Sequence, residues 1–160
     1  MPDMLVKLYE LPEKTTIINQ LAEGGIVIRR GLAPEKHIVK DWVRRTFSEH
    51  WESEVDVAFS RQPVSCFIAT ENDKVVGFGC YEATCKNYFG PTGVDPSMRG
   101  KGVGKALLLA CMHGLHDEGY AYAIIGGAGP TEFYNKAVGA IPIADSIPGV
   151  YKGMLKKVQE

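Results

Sequence analysis

The stretch Asp95–Leu109, "DPSMRGKGVGKALLL", decides how the rest of the chain is read. Gly100, Gly102 and Gly104 alternate with basic and small residues, and a long apolar run follows at once. A glycine-rich loop that opens a helix is a usual seat for phosphate, because the free amides of the first turn and the positive end of the helix dipole both face it. Two common phosphate motifs fail by counting. A P-loop, G-x-x-x-x-G-K-[ST], needs glycine where Arg99 stands and a hydroxyl where Ala106 stands. A dinucleotide loop, G-x-G-x-x-G, needs glycine where Lys105 stands. What remains is a site made of Arg99, Gly100, Lys101, Gly102, Val103, Gly104 and Lys105. It offers three positive side chains and a bare backbone that phosphate oxygens can approach.

Working outward, the loop lies between a strand and a helix. "YFGPTGV" before it reads as a strand, and the helix runs from Gly102 to about Glu118, where Gly119 stops it. "YAYAIIGG" then reads as a buried strand and "PTEFYNKAVG" as a short helix with Pro130 near its start. "AIPIAD" and "VYKGMLKK" are expected to close the chain as strands. Upstream, "MLVKLYEL" reads as a short first strand, "TTIINQLAEGG" as a helix and "IVIRRGL" as a strand. Two helices follow, "PEKHIVKDWVRRTF" and a second capped by Ser48, whose Trp51, Val55, Ala58 and Phe59 share one face. "VSCFIAT" and "VVGFGCYEAT" form a hairpin around the turn "ENDK". The predicted fold is a mixed α/β domain, antiparallel at first and with a parallel crossover later, spanning residues 1–160 as one unit.

The 160 residues are 45% hydrophobic and 23% charged, ordinary values for a globular chain, and the net charge is −1. A nucleic-acid binder usually carries a basic excess, so no nucleic-acid partner is expected. No apolar run approaches the roughly 18 residues of a membrane span, and no membrane partner is expected. "MPDMLVKLYELPEK" lacks the pattern of a signal peptide, and the expected location is cytoplasmic. Cys66, Cys80, Cys85 and Cys111 form no C-x-x-C and read as reduced structural thiols. His113 and His116 share a helix but have no second ligand cluster, so no metal is expected.

Arg99-Gly100-Lys101-Gly102-Val103-Gly104 matches R/Q-x-x-G-x-G/A, and in this the chain resembles the GNAT family of acetyltransferases. "FYNKAVGA" is similar to that family's F/L-Y-x-K-x-G-F segment through Phe133, Tyr134, Lys136 and Gly139, with one extra residue before the glycine and Ala140 in place of Phe. The Asn that often precedes this Tyr by seven residues is Gly127 here. The resemblance covers roughly residues 24–156 and is strongest from Val94 to Gly139. It implies a mixed, mostly antiparallel sheet of about six or seven strands flanked by helices, in which two parallel neighbours splay apart. Pro91 would sit at a bulge in the splayed strand, and Gly126-Gly127 would leave room for a cofactor arm. It further implies acetyl-CoA as co-substrate. The glycine loop would hold its pyrophosphate, and the backbone near Val94 its pantetheine arm.

The activity so implied is acetyl transfer to the primary amine of a small acceptor, direct and in a ternary complex. The alternative is a CoA-binding sensor of the same fold without turnover. Tyr134 matches the position that protonates the leaving thiolate. Glu82, on the strand before the splayed one, is a candidate base, water relayed from backbone carbonyls is another, and Glu132 a third. A covalent route through cysteine has no base-activated thiol to support it. Glu49, Glu52, Glu54 and Asp56 border the acceptor side and could attract a cationic amine, or form a solvated helix face. A homodimer is compatible with the chain.

Overall fold

The computed structural model describes residues 1–159. Seven strands form one sheet: β1 (Met4–Lys7), β2 (Ile26–Arg30), β3 (Cys66–Glu71), β4 (Lys74–Tyr81), β5 (Tyr88–Val94), β6 (Tyr122–Ile125) and β7 (Ile141–Pro142). Their spatial order is β2-β3-β4-β5-β6-β1-β7, and every neighbouring pair is antiparallel except β5–β6. The β3–β4 turn places Asn72 and Asp73 at φ of 50° and 60°, the left-handed pair that a tight hairpin requires and that Asn and Asp tolerate.

Helix α4 (Val103–Asp117) is apolar nearly all round, with ten of its fifteen residues buried. A helix of that kind needs cover on more than one side. It lies on the sheet beneath α1 (Thr15–Glu23), and its Leu108, Leu109, Met112 and Leu115 share one core cluster with β1. Gly77 and Gly114 set this close contact. A β-carbon at Gly77 would stand 3.0 Å from Leu107, and one at Gly114 would stand 2.8 Å from the Tyr81 ring. Helices α2 (Lys36–Thr46) and α3 (Glu49–Phe59) cover the other face through Val39, Val43, Val55 and Ala58, with Trp42, Phe47, Trp51 and Phe78 in mutual ring contact. Ser48 caps α3, accepting a hydrogen bond from the Trp51 amide at 3.2 Å.

Strand β5 is irregular where Pro91 stands. Tyr81 pairs with Phe89 but Gly79 pairs with Thr92, so β5 carries one extra residue there, the expected bulge. On its other side β5 pairs with β6 at Tyr88 and Phe89 only. Beyond that point the two strands diverge, and the β6-facing edge of β5 lacks a ladder partner.

One expected strand is absent. Residues 150–157 form no strand: Gly149–Tyr151 is a 3-10 turn, and the chain beyond Gly153 has no regular structure. Two causes are visible. Strand β1 pairs with β6 on one side and β7 on the other, so the slot beside β6 is taken. Gly149 and Gly153 are left-handed, at φ of 61° and 75°, which interrupts an extended run.

Candidate active site

The splay between β5 and β6 opens a cavity of about 910 Å³. One wall is β5 from Phe89 to Val94, and the facing wall is Ile125 to Pro130. Gly104 and Leu108 of α4 form one end. Trp51 and Glu54 of α3, with Thr84, form the other, and Tyr151 and Met154 of the C-terminal segment close over it.

The loop singled out in the sequence lies at the α4 end. Gly102 is the N-cap of α4 with φ 88°, and no side chain caps that terminus. The amides of Val103, Gly104 and Lys105 therefore open the helix without side-chain acceptors, and the first backbone bond is Ala106 N–H to Gly102 O at 3.0 Å. Gly100, also left-handed at φ 82°, would have nothing within 4 Å of a β-carbon. Arg99, Lys101 and Lys105 are exposed, and none pairs with a carboxylate among the described residues. Open backbone, free amides and unpaired cations together fit a pyrophosphate. Val94 flanks the same end, 3.7 Å from a β-carbon placed on Gly104.

Tyr134 sits on α5 (Thr131–Val138), 6% exposed, with its ring edge-on to Phe89 at 6.2 Å. Among the described residues its hydroxyl has no hydrogen-bond partner in the protein, and the residue lines the cavity. Burial pushes its phenol up to about 12. It is thus neutral, a proton donor, throughout the physiological range.

Glu82 is placed elsewhere. It follows β4 with φ 60°, and it is not among the cavity's lining residues. One carboxylate oxygen accepts from the Asn87 amide, and the other accepts from Tyr120 Oη at 3.2 Å. Its own carbonyl accepts from Arg61 Nε at 2.6 Å. The carboxylate ties the β4–β5 connection to the end of α4 instead of facing an acceptor. Glu132 is exposed and pairs with Lys136 at 3.3 Å.

Of the four α3 acids, only Glu54 reaches the cavity. Glu49 pairs with Lys157 at 2.6 Å, Glu52 with Arg44 at 3.8 Å, and Asp56 with Lys36 and Lys40 at 2.9 and 3.1 Å. Glu54 accepts a hydrogen bond from the Thr84 hydroxyl, and burial raises its carboxyl above the ordinary value. The signal for it was present in the sequence: Glu54 falls between Trp51 and Val55 on the stripe that α3 buries. Thr84, Tyr151 and Met154 carried no such signal.

Gly126 also differs from expectation. A β-carbon there would stand 2.9 Å from Tyr151 Oη and 3.1 Å from the Tyr88 ring, so its missing side chain makes room for those rings. Gly127, at φ 54°, donates its amide to Asp3 Oδ1 at 2.8 Å. Cys66, Cys80 and Cys111 are buried, with burial raising the Cys80 and Cys111 thiols well above their usual value. Among the described residues no group of His, Cys, Asp and Glu is placed to hold a metal ion, and no helix is long and apolar enough to cross a membrane.

The model of the acetyltransferase (GNAT) family matches residues 36–139, from α2 through the end of α5. The chain belongs to the GNAT acetyltransferase family. No curated protein matches it. Among solved structures it is similar to the GCN5-related glucosamine N-acetyltransferase region of a fungal multi-domain β-N-acetylglucosaminidase, at TM-score 0.71 and 15% identity over 89% of this chain and 19% of that one. It is similar to a GCN5-related N-acetyltransferase from Sphaerobacter thermophilus at TM-score 0.69 and 21% identity, over 89% of this chain and 48% of that one. A GNAT family acetyltransferase from Brucella melitensis, solved with acetyl-CoA, aligns at TM-score 0.55 and 18% identity over 69% and 80% of the two chains. The chain spans under half the length of the first two, and at these identities the likeness bears on the fold alone.

Proposed function

We propose that this chain transfers an acetyl group from acetyl-CoA to the primary amine of a small acceptor. The observation that carries the reading is a continuity. The uncapped N-terminus of α4 opens through Gly104 and Val94 into the same cavity that Tyr134 lines. The loop 99–105 grips the pyrophosphate with backbone amides, and Arg99, Lys101 and Lys105 add charge. The unpaired edge of β5 offers amides and carbonyls to the amide-bearing arm. Acetyl-CoA bound there supplies an activated acetyl carbon and a sulfur leaving group. The chain's own residues bring the amine to that carbon, hold water away with the aromatic walls and keep a phenol protonated near the sulfur.

The test is thiol release from acetyl-CoA against a panel of primary amines, with acetyl-CoA affinity measured by calorimetry in parallel. Amine-dependent thiol release supports transfer. Tight acetyl-CoA binding with no release across the panel would instead favour the CoA-binding sensor, and no binding of either kind would remove both readings.

A further inference from the structure

Among the described residues Glu54 is the only carboxylate lining the cavity, where His50 is the one other ionisable side chain besides tyrosine. His50, Ser53 and Thr84 stand beside it, and the rest of the wall is largely apolar or aromatic, with Trp51, Phe89, Phe133, Tyr134, Tyr151 and Met154. The other acids of α3 are paired with lysine or arginine, whereas Glu54 has no basic partner among the described residues. Thr84 occupies its Oε1, and Oε2 accepts no hydrogen bond among the described residues. The titratable groups that act on it are His50, one turn earlier on α3, Tyr151 from the C-terminal turn, and the Cys80 thiol from β4. Among the described residues no lysine or arginine lines the cavity. A half-buried carboxylate with one free oxygen, set in an aromatic wall, wants one cation with an apolar body.

We infer that Glu54 receives and deprotonates the acceptor, a primary ammonium carried on an apolar or aromatic skeleton. This rests on the acetyltransferase reading and names its substrate class. The Glu54 carboxylate takes one proton from the ammonium and passes it to solvent. The freed nitrogen lone pair forms the C–N bond to the acetyl carbon, while the C–S bond breaks with its electron pair leaving on sulfur. Tyr134 gives that sulfur its phenolic proton and recovers the second proton that the nitrogen sheds. Atoms and charge balance: one amide, one thiol and one solvent proton result. A single carboxylate matches a monocation, while a polyamine would leave its further charges against apolar walls.

The test has a binding arm that needs no turnover. In the presence of CoA, calorimetry measures 2-phenylethylamine, its neutral counterpart 2-phenylethanol, and spermidine. The wild-type chain is expected to bind 2-phenylethylamine at least about tenfold more tightly than either of the others. Glu54→Gln should weaken it by about tenfold or more, and Glu52→Gln, whose carboxylate faces Arg44 of α2 and does not line the cavity, should leave it unchanged. Equal affinity in the Glu54→Gln protein overturns the inference, as does a preference for spermidine or 2-phenylethanol. Thiol release gives the second arm. The ascending limb of kcat/KM against pH should be present in wild type and lost in Glu54→Gln. If both proteins release thiol with the same profile, Glu54 is not the base and the acetyltransferase reading stands. If amine binding depends on Glu54 but no acetyl-CoA is consumed, the transfer reading falls and the recognition role of Glu54 stands.

Discussion

Tyr134 and Glu54 show what burial does to two acids in one cavity: each is held toward its protonated form. For Tyr134 that is the form its proposed role as proton donor to the thiolate requires. Tyr134→Phe should lower kcat by about a hundredfold, the low end for general acid catalysis, while acetyl-CoA affinity barely moves because the ring still packs on Phe89. Steady-state kinetics beside calorimetry reads both, and a Phe variant with full kcat would leave water as the donor. For Glu54 the same burial has a cost in stability. A carboxyl raised in the folded state costs nothing below its unfolded value, where both states are protonated. The cost appears as pH rises through the raised value. Glu54→Gln should therefore raise Tm near pH 8, and the gain should shrink toward about pH 4. Scanning calorimetry at the two pH values checks the sign. Lys101→Ala and Lys105→Ala belong to the same scale and should be mild. Both side chains are exposed, so each should weaken acetyl-CoA binding by only a fewfold, less at high salt. Abolished binding in either variant would mean that the ammonium groups hold the cofactor, not the amides.

At the scale of the element, the entrance to α4 separates geometry from stability. Gly104→Asp puts a side chain and a negative charge at the first turn, yet its β-carbon meets only Val94, in ordinary contact at 3.7 Å. The variant should fold and lose acetyl-CoA affinity by well over tenfold, measured by calorimetry after a matching circular dichroism spectrum. Unchanged affinity would remove the loop from the site. Gly102 is a poorer place for that test, since φ 88° and Ile17 at 3.3 Å make any side chain there strained. This loop was legible in the sequence because everything that defines it is local: glycine spacing, flanking charge and the apolar run of one helix. The bulge at Pro91 was legible for the same reason, as proline cannot donate to a ladder. The base was not. Glu82 stands where strand alternation would aim it at the cleft, and one left-handed residue at the strand end sends its carboxylate to Asn87 and Tyr120 instead.

The whole molecule hides what only long-range pairing decides. "MLVK" and "VYKGML" have comparable strand character, and both could complete the sheet beside β6. Nothing local says which of them wins. The structure gives the slot to β1, whose Met4 and Val6 are almost fully buried, and it leaves the C-terminal segment to line the cavity through Tyr151 and Met154. Val6→Asp should therefore cost upward of about 3 kcal/mol and leave little folded protein, as judged by soluble yield and thermal melting. Full solubility and an unchanged Tm would show that β1 is dispensable.

The place of β1 also sets a timetable. Met4 finds its partner at Ile125, roughly 120 residues further along the chain. At translation rates of about 5–20 residues per second, β1 leaves the ribosome roughly 6–24 s before β6 is made. Through that interval an apolar segment waits with no strand partner, while β3, β4 and β5 can already pair in sequence order. Slowing elongation between residues 8 and 125 should lower the soluble yield, whereas slowing it beyond residue 130 should not.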